Sequence, residues 1–174
     1  MQLREKDLPA RDLFDMACQV KEMAKRYGAR VLVNDRIDIA MAAGLDGVHL
    51  PADSFTAAEA RKLMRGGKII GVSTHSLQEA VKAEKEGADF ITFSPVYETP
   101  SKVRYGKPQG IGNLENVCRN ISIPVYALGG IKGDNIKDVK KAGSYGIALI
   151  SYLMGANDVR AAAEEICNLA ESEC

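Results

Sequence analysis

Four times along the chain a glycine is followed closely by a short apolar run. The segments are Tyr27-Gly28-Ala29-Arg30-Val31-Leu32-Val33 and Ala43-Gly44-Leu45-Asp46-Gly47-Val48-His49-Leu50, then Glu86-Gly87-Ala88-Asp89-Phe90-Ile91-Thr92-Phe93 and Ala142-Gly143-Ser144-Tyr145-Gly146-Ile147-Ala148-Leu149-Ile150. Each opening glycine stands where a helix would stop, because it adopts the left-handed conformation without a Cβ clash. Each run is rich in β-branched residues, as expected of a strand buried on both faces. Between the runs, 57–64 and 77–86 place apolar residues at helical spacing with charges on the opposite face. Ser76 with Glu79 three residues on predicts a capping box. Further apolar runs at 68–72 and 123–128, and the opening residues, complete the pattern. Strands are predicted near 1–4, 30–34, 47–50, 69–73, 89–94, 124–128 and 146–150, nearly all followed by helices.

Strict alternation of strand and helix demands a parallel sheet with right-handed crossovers. An open doubly wound sheet and a closed barrel both satisfy it. No G-x-G-x-x-G opens a helix, so the dinucleotide-binding form of the open sheet loses its main support. Seven strands are one short of a TIM barrel. The expected fold is therefore α/β, a TIM (β/α)8-type barrel lacking its first β/α unit, with residues 1–174 forming a single, N-terminally incomplete domain. An open barrel would leave strand edges unpaired. Three readings of that gap stand: a start upstream of Met1, which we favour; a homodimer whose second copy covers it; or a degenerate product.

Composition narrows the function. Of the 174 residues 46% are hydrophobic, enough for one substantial core. Lys and Arg total 23, equal to Asp and Glu, so the chain lacks the basic excess of a nucleic-acid coat. Cys18, Cys118, Cys167 and Cys174 form no CxxC pair, which disfavours a zinc site or a dense disulfide framework. No apolar run approaches membrane-spanning length, and the charged opening Arg4-Glu5-Lys6-Asp7 does not read as a secretory signal. A soluble cytoplasmic protein is expected.

In such a barrel the chemistry gathers where strands end. Arg4 and Lys6 alternate after the first strand and suit a pyrophosphate, or they are a solvated pair at a chain start. Asn34-Asp35 follows the second strand; Asp35 is a candidate Mg²⁺ ligand or a helix N-cap. His49, inside an apolar run, reads first as a packed side chain. His75, after Ser73-Thr74 and before a capped helix, stands where barrel catalysts stand, and imidazoles exchange protons near neutral pH. The long loop after the fifth strand carries Thr99-Pro100-Ser101-Lys102, hydroxyls and a lysine suited to an oxyanion, or simply to water. Gly129-Gly130 after the sixth strand and Ile150-Ser151 after the seventh occupy the usual phosphate position of a barrel.

These motifs, in this order, resemble the thiamine phosphate synthase / TenI (thiazole tautomerase) family along essentially the whole chain. The matching segments are Gln2-Leu3-Arg4-Glu5-Lys6, Val33-Asn34-Asp35-Arg36, Asp46-Gly47-Val48-His49-Leu50, Gly71-Val72-Ser73-Thr74-His75-Ser76, Thr99-Pro100-Ser101-Lys102, Gly129-Gly130-Ile131 and Ile150-Ser151. The resemblance implies an enzyme of thiamine biosynthesis acting on a thiazole phosphate. It implies catalytic roles for His75 and Lys102. Gln2, Arg4, Lys6, Asn34, Ser73, Thr99, Ser101, Gly129, Gly130, Ile150 and Ser151 become the expected substrate and phosphate contacts. Asp35 becomes the metal ligand, with Asp53 as a possible one. The small-molecule partners would be the phosphorylated thiazole and, for a synthase, a pyrimidine pyrophosphate.

One departure bears on which reaction runs. Synthases follow the His-Leu of this strand with Gly-Gln-Glu-Asp, whose last aspartate is a second Mg²⁺ ligand. Here Pro51-Ala52-Asp53-Ser54 places Ser54 in that position. A neutral hydroxyl is a poorer ligand, and Pro51 to Phe55 resembles the tautomerase branch. That branch moves a ring proton and needs an acid/base rather than a metal. Thr99 and Lys102 resemble the synthase, which couples hydroxymethylpyrimidine pyrophosphate to thiazole phosphate with Mg²⁺. The expectation leans narrowly to the tautomerase, with no cofactor; the synthase is its alternative, and a non-catalytic phosphate-binding regulatory barrel is a third.

Overall fold

A computed structural model describes residues 1–99 and 107–171. They group into two compact units, residues 1–73 with 85–89, and residues 74–84 with the described residues from 90 onward. In the first unit lie β1 (Gln2–Leu3), α1 (Ala10–Lys25), β2 (Leu32–Asn34), α2 (Ile37–Ala42), β3 (Gly47–Leu50), α3 (Ala57–Leu63) and most of β4 (Ile69–Thr74). The strands pair in chain order and in parallel, with Gln2 opposite Leu32, Leu32 opposite Gly47, and Gly47 opposite Ile69. Val31, Val33, Val48, Leu50 and Ile70 are buried, with Leu13 and Ala17 of α1 and Ala60 of α3. Gly47 is obligatory, since a Cβ there would lie 2.0 Å from the Ile69 carbonyl oxygen.

The second unit holds α4 (Leu77–Lys85) up to residue 84, β5 (Phe90–Phe93), α5 (Gly110–Asn120), β6 (Val125–Leu128), α6 (Ile136–Lys141), β7 (Gly146–Ala148), α7 (Ser151–Met154) and α8 (Val159–Glu171). Its strands are again parallel, with Ile91 opposite Val125 and Tyr126 opposite Gly146. Ile91, Phe93, Leu114, Val117, Ala127, Ile136 and Val139 are buried. Among the described residues no helix is long and apolar enough to cross a membrane.

The repeated glycine segments share a device that fixes register. Asp46 donates its N–H to the Val31 carbonyl at 3.0 Å, and its carboxylate accepts from the Val31 N–H at 2.8 Å. Asp89 brackets Ile70 in the same way, at 2.8 and 2.7 Å. Each aspartate therefore satisfies a buried strand's first polar groups. Arg61 ties the second copy down through the Asp89 carboxylate and the Gly87 and Lys68 carbonyls.

Each predicted strand coincides with an observed one, the fourth running one residue further, to Thr74. The ends differ: β1 stops at Leu3, so Arg4 and Lys6 lie beyond it rather than alternating along it. The predicted capping box at α4 is also displaced. Ser76 Oγ accepts from the Glu79 N–H at 3.2 Å, but the Glu79 carboxylate reaches the His75 N–H at 2.6 Å instead of that of Ser76. A full box forms at α3, between Thr56 and Glu59.

Candidate active site

In the first unit the ends of β1, β2 and β3 bring polar side chains together. Gln2 donates to the Asn34 side-chain oxygen at 3.1 Å. Asp35 adopts the left-handed conformation, φ +66°, a sparsely populated region for a non-glycine residue that costs on the order of 1 kcal/mol. Backbone bonds hold it there: its N–H donates to the His49 carbonyl at 2.9 Å, and its own carbonyl accepts from Ile37 at 3.0 Å. The N-cap alternative for Asp35 is overturned, because Arg36 occupies the cap of α2 and no side chain caps it. The Asp35 carboxylate instead accepts from the Ser54 hydroxyl.

Arg36 is committed to Asp38 through two bonds, of 2.8 and 2.6 Å. That contact holds the Asp38 carboxyl below its ordinary range and the guanidinium above its own. Asp35, Asp53 and Ser54 line an open pocket of about 900 Å³ together with apolar side chains such as Met41, Phe55 and Leu63. Arg4 and Lys6 are exposed. His49 is 4% exposed, and burial pushes its pKa down to about 4, so it is neutral. Its Nε2 lies 3.0 Å from Ser73 Oγ, so the packed-histidine expectation holds, with Ser73 as a neighbour.

In the second unit His75 follows directly on β4. Its Nδ1 lies 2.5 Å from the Ser94 carbonyl oxygen, and its backbone N–H is held by Glu79. Ser94 is buried, and its hydroxyl has no hydrogen-bond partner among the described residues. Thr99 is half-buried; Ser101 and Lys102 lie outside the described residues.

The Gly129-Gly130 pair has a steric task beyond any ligand. Both take positive φ, +100° and +67°. A Cβ on Gly129 would meet Pro95 Cα at 2.8 Å, and one on Gly130 would meet the Glu98 carbonyl oxygen at 2.6 Å. Residues 95–98 thus pack on the turn, and Tyr97 donates its N–H to the Gly129 carbonyl at 3.0 Å. Asn135 braces the other side, donating to the Gly130 carbonyl and accepting from the Lys132 N–H, both at 2.9 Å. With both glycine carbonyls tied back, the amide N–H groups are what this turn can offer an anion. Ile150 precedes α7 and is exposed, and Ser151 begins it, also exposed.

Comparison with known proteins fits this arrangement of strand ends. A family model described as thiamine monophosphate synthase matches residues 1–153. The chain belongs to that family. It is 43% identical over 166 residues to the thiamine-phosphate synthase of Methanoculleus marisnigri, covering 95% of this chain and 79% of that one. It is 41% identical over 171 residues to the thiamine-phosphate synthase of Halalkalibacterium halodurans, covering 98% and 81%. A solved thiamine phosphate pyrophosphorylase from Pyrococcus furiosus superposes with a TM-score of 0.91 at 37% identity, over 98% of this chain and 81% of that one. The α/β, TIM-type fold and the family resemblance are thereby established. As a member of this family the chain is an enzyme of thiamine biosynthesis. The relatives carry the synthase name, so the narrow lean toward the tautomerase has no support from them.

Two features escaped the sequence. The Ser54–Asp35 contact joins residues nineteen apart in the chain, and only the fold of two loops brings them together. Asn135 had a weak signal, an asparagine shortly after a paired-glycine turn, a place where Asx side chains bond local backbone.

Proposed function

We propose that the protein is a thiamine-phosphate synthase. The methyl carbon of a hydroxymethylpyrimidine pyrophosphate loses pyrophosphate, which leaves with the C–O bonding pair. The nitrogen lone pair of the thiazole phosphate then forms the new C–N bond, giving thiamine phosphate. No base is required; stabilisation of the leaving group is. The observation that carries this reading is the Asp35 carboxylate, held at a strained left-handed turn at the end of β2.

Mg²⁺ takes oxygen ligands, typically one or two carboxylates together with substrate phosphates and water. Asp35, Ser54 and Asp53 line one pocket and offer only oxygen, a donor set that fits such an ion shared with a pyrophosphate. When bound, the ion would neutralise charge on the leaving group. Arg4 and Lys6 would pair with the same pyrophosphate, and Gln2, Asn34 and Ser73 would orient it through their polar ends. Gly129, Gly130, Ile150 and Ser151 would hold the thiazole phosphate through backbone N–H groups and the serine hydroxyl, with Thr99 and Ser101 adding hydroxyls from the loop.

A second reading, thiazole tautomerase, is favoured by one observation. A carbonyl only accepts, so the His75 Nδ1 contact with Ser94 requires Nδ1–H and leaves Nε2 to take a proton. Expression in a bacterium deleted for its thiamine-phosphate synthase separates the two. Growth without supplied thiamine is expected; absence of growth with soluble protein present would refute the synthase.

A further inference from the structure

α7 carries Ser151 yet has little in the core to hold it in place. It is four residues long, none of them is buried, and no side chain caps it. Its placement therefore depends on contacts outside the core, and α8 supplies such contacts. The Tyr152 hydroxyl, one residue along from Ser151, donates to Glu165 Oε2 at 3.2 Å. The other oxygen of that carboxylate lies against the segment after β6. A Cβ on Gly133 would stand 3.7 Å from Glu165 Oε1 and 3.1 Å from Leu169 Cδ1. Asn135 ties the same segment back, through the Lys132 N–H and the Gly130 carbonyl. One side chain of α8 thus touches both segments proposed to hold the thiazole phosphate. α8 is anchored independently of this contact. Its Ala161 N–H donates to the Asp158 carboxylate at 2.9 Å, and Ile166 is buried at 4% exposure. Glu165 is exposed, so its loss leaves the core intact.

We infer that Glu165 is a positioning residue: bonded to Tyr152 and packed against Gly133, it holds Ser151 and the Gly129-Gly130 turn at the spacing one phosphate requires. It acts through α7 and the turn rather than on the ligand. A hydrogen bond this exposed adds little to folding stability. Its value lies in preorganisation, since a phosphate that must first order α7 loses that ordering cost from its affinity. The inference rests on the synthase reading, which makes a thiazole phosphate the occupant of the turn and Ser151.

Calorimetric titration of the full chain with thiazole phosphate alone tests it without turnover, and circular dichroism checks that each variant folds. Glu165→Ala is expected to weaken binding about fivefold, the scale of one net hydrogen bond. Tyr152→Phe should weaken it by a similar factor. The double variant should bind no more weakly than either single one, because both remove the same bond. Glu165→Gln keeps an acceptor for the Tyr152 hydroxyl and is expected to bind within about twofold of wild type. In the coupling reaction, Glu165→Ala should raise KM for thiazole phosphate while kcat and the KM for pyrimidine pyrophosphate stay within about twofold. Wild-type affinity in Glu165→Ala would overturn the inference. So would losses that multiply in the double variant. The expected shifts in binding without any thiamine phosphate formation would break the synthase reading and leave this one standing; synthesis with Glu165→Ala indistinguishable from wild type would do the reverse.

Discussion

His75 Nδ1 lies 2.5 Å from the carbonyl oxygen of Ser94, and this contact fixes which ring nitrogen can do chemistry. Nδ1 keeps its proton, so Nε2 is the acceptor in the neutral ring. Coupling by ionisation of a pyrophosphate does not need that acceptor, whereas moving a thiazole ring proton does. His75→Asn should therefore lower thiamine phosphate formation less than about tenfold. A general base is worth about 100- to 10,000-fold, so a tautomerase would lose that much. Assaying both reactions with the one variant decides between them, and a coupling loss beyond about 100-fold would contradict the account.

The buried His49 makes stability depend on pH. Its folded pKa, about 4, lies below the ordinary value of 6.5, so protons bind the unfolded chain more tightly. Its contribution is fully present above about pH 6.5 and is lost as pH falls toward about 4. The limiting loss is about 3 kcal/mol, at roughly 1.4 kcal/mol per pKa unit. Urea midpoints should fall over this window in wild type and fall less steeply in His49→Gln. Parallel curves for the two proteins would remove His49 as the cause.

Gly129 and Gly130 are required by the packing of residues 95–98, whether or not a phosphate binds. Gly129→Ala combines a positive φ of +100° with a 2.8 Å approach to Pro95 Cα. The expected destabilisation is at least about 2 kcal/mol, in the range of mutations that strain special backbone positions. Chemical denaturation measures it. A midpoint equal to wild type would mean that the turn opens at little cost.

Asn135 holds the same turn from the other side through two bonds of 2.9 Å. If the turn presents its amides to the thiazole phosphate, Asn135→Ala should raise KM for that substrate about tenfold. The KM for the pyrimidine pyrophosphate should stay within about twofold, a split that general loss of structure would not give. Each hydrogen bond is worth about 1 kcal/mol, which sets the scale. Equal changes in both KM values would argue against the phosphate turn.

Much of the architecture was legible because it rests on short-range rules. Glycine before an apolar run marked four strand entries, and β4, β6 and the opening strand followed from composition. The aspartates of two of those repeats, Asp46 and Asp89, turned out to bracket the preceding strand, a tertiary pairing that no local pattern states. The same limit applies at the site. Asp35 and His75 stood out because they end strands, but what each touches, Ser54 and the Ser94 carbonyl, depends on segments nineteen residues away. The paired glycines suggest a ligand, and the structure adds the loop that packs against them.

Formation of thiamine phosphate decides whether the protein is a synthase. Purified protein is mixed with hydroxymethylpyrimidine pyrophosphate, thiazole phosphate and Mg²⁺, and thiamine phosphate is measured after oxidation to its fluorescent form. Product is expected to accumulate with enzyme concentration and to disappear when EDTA is added. Absence of product, from protein that still binds thiazole phosphate, would contradict the synthase reading.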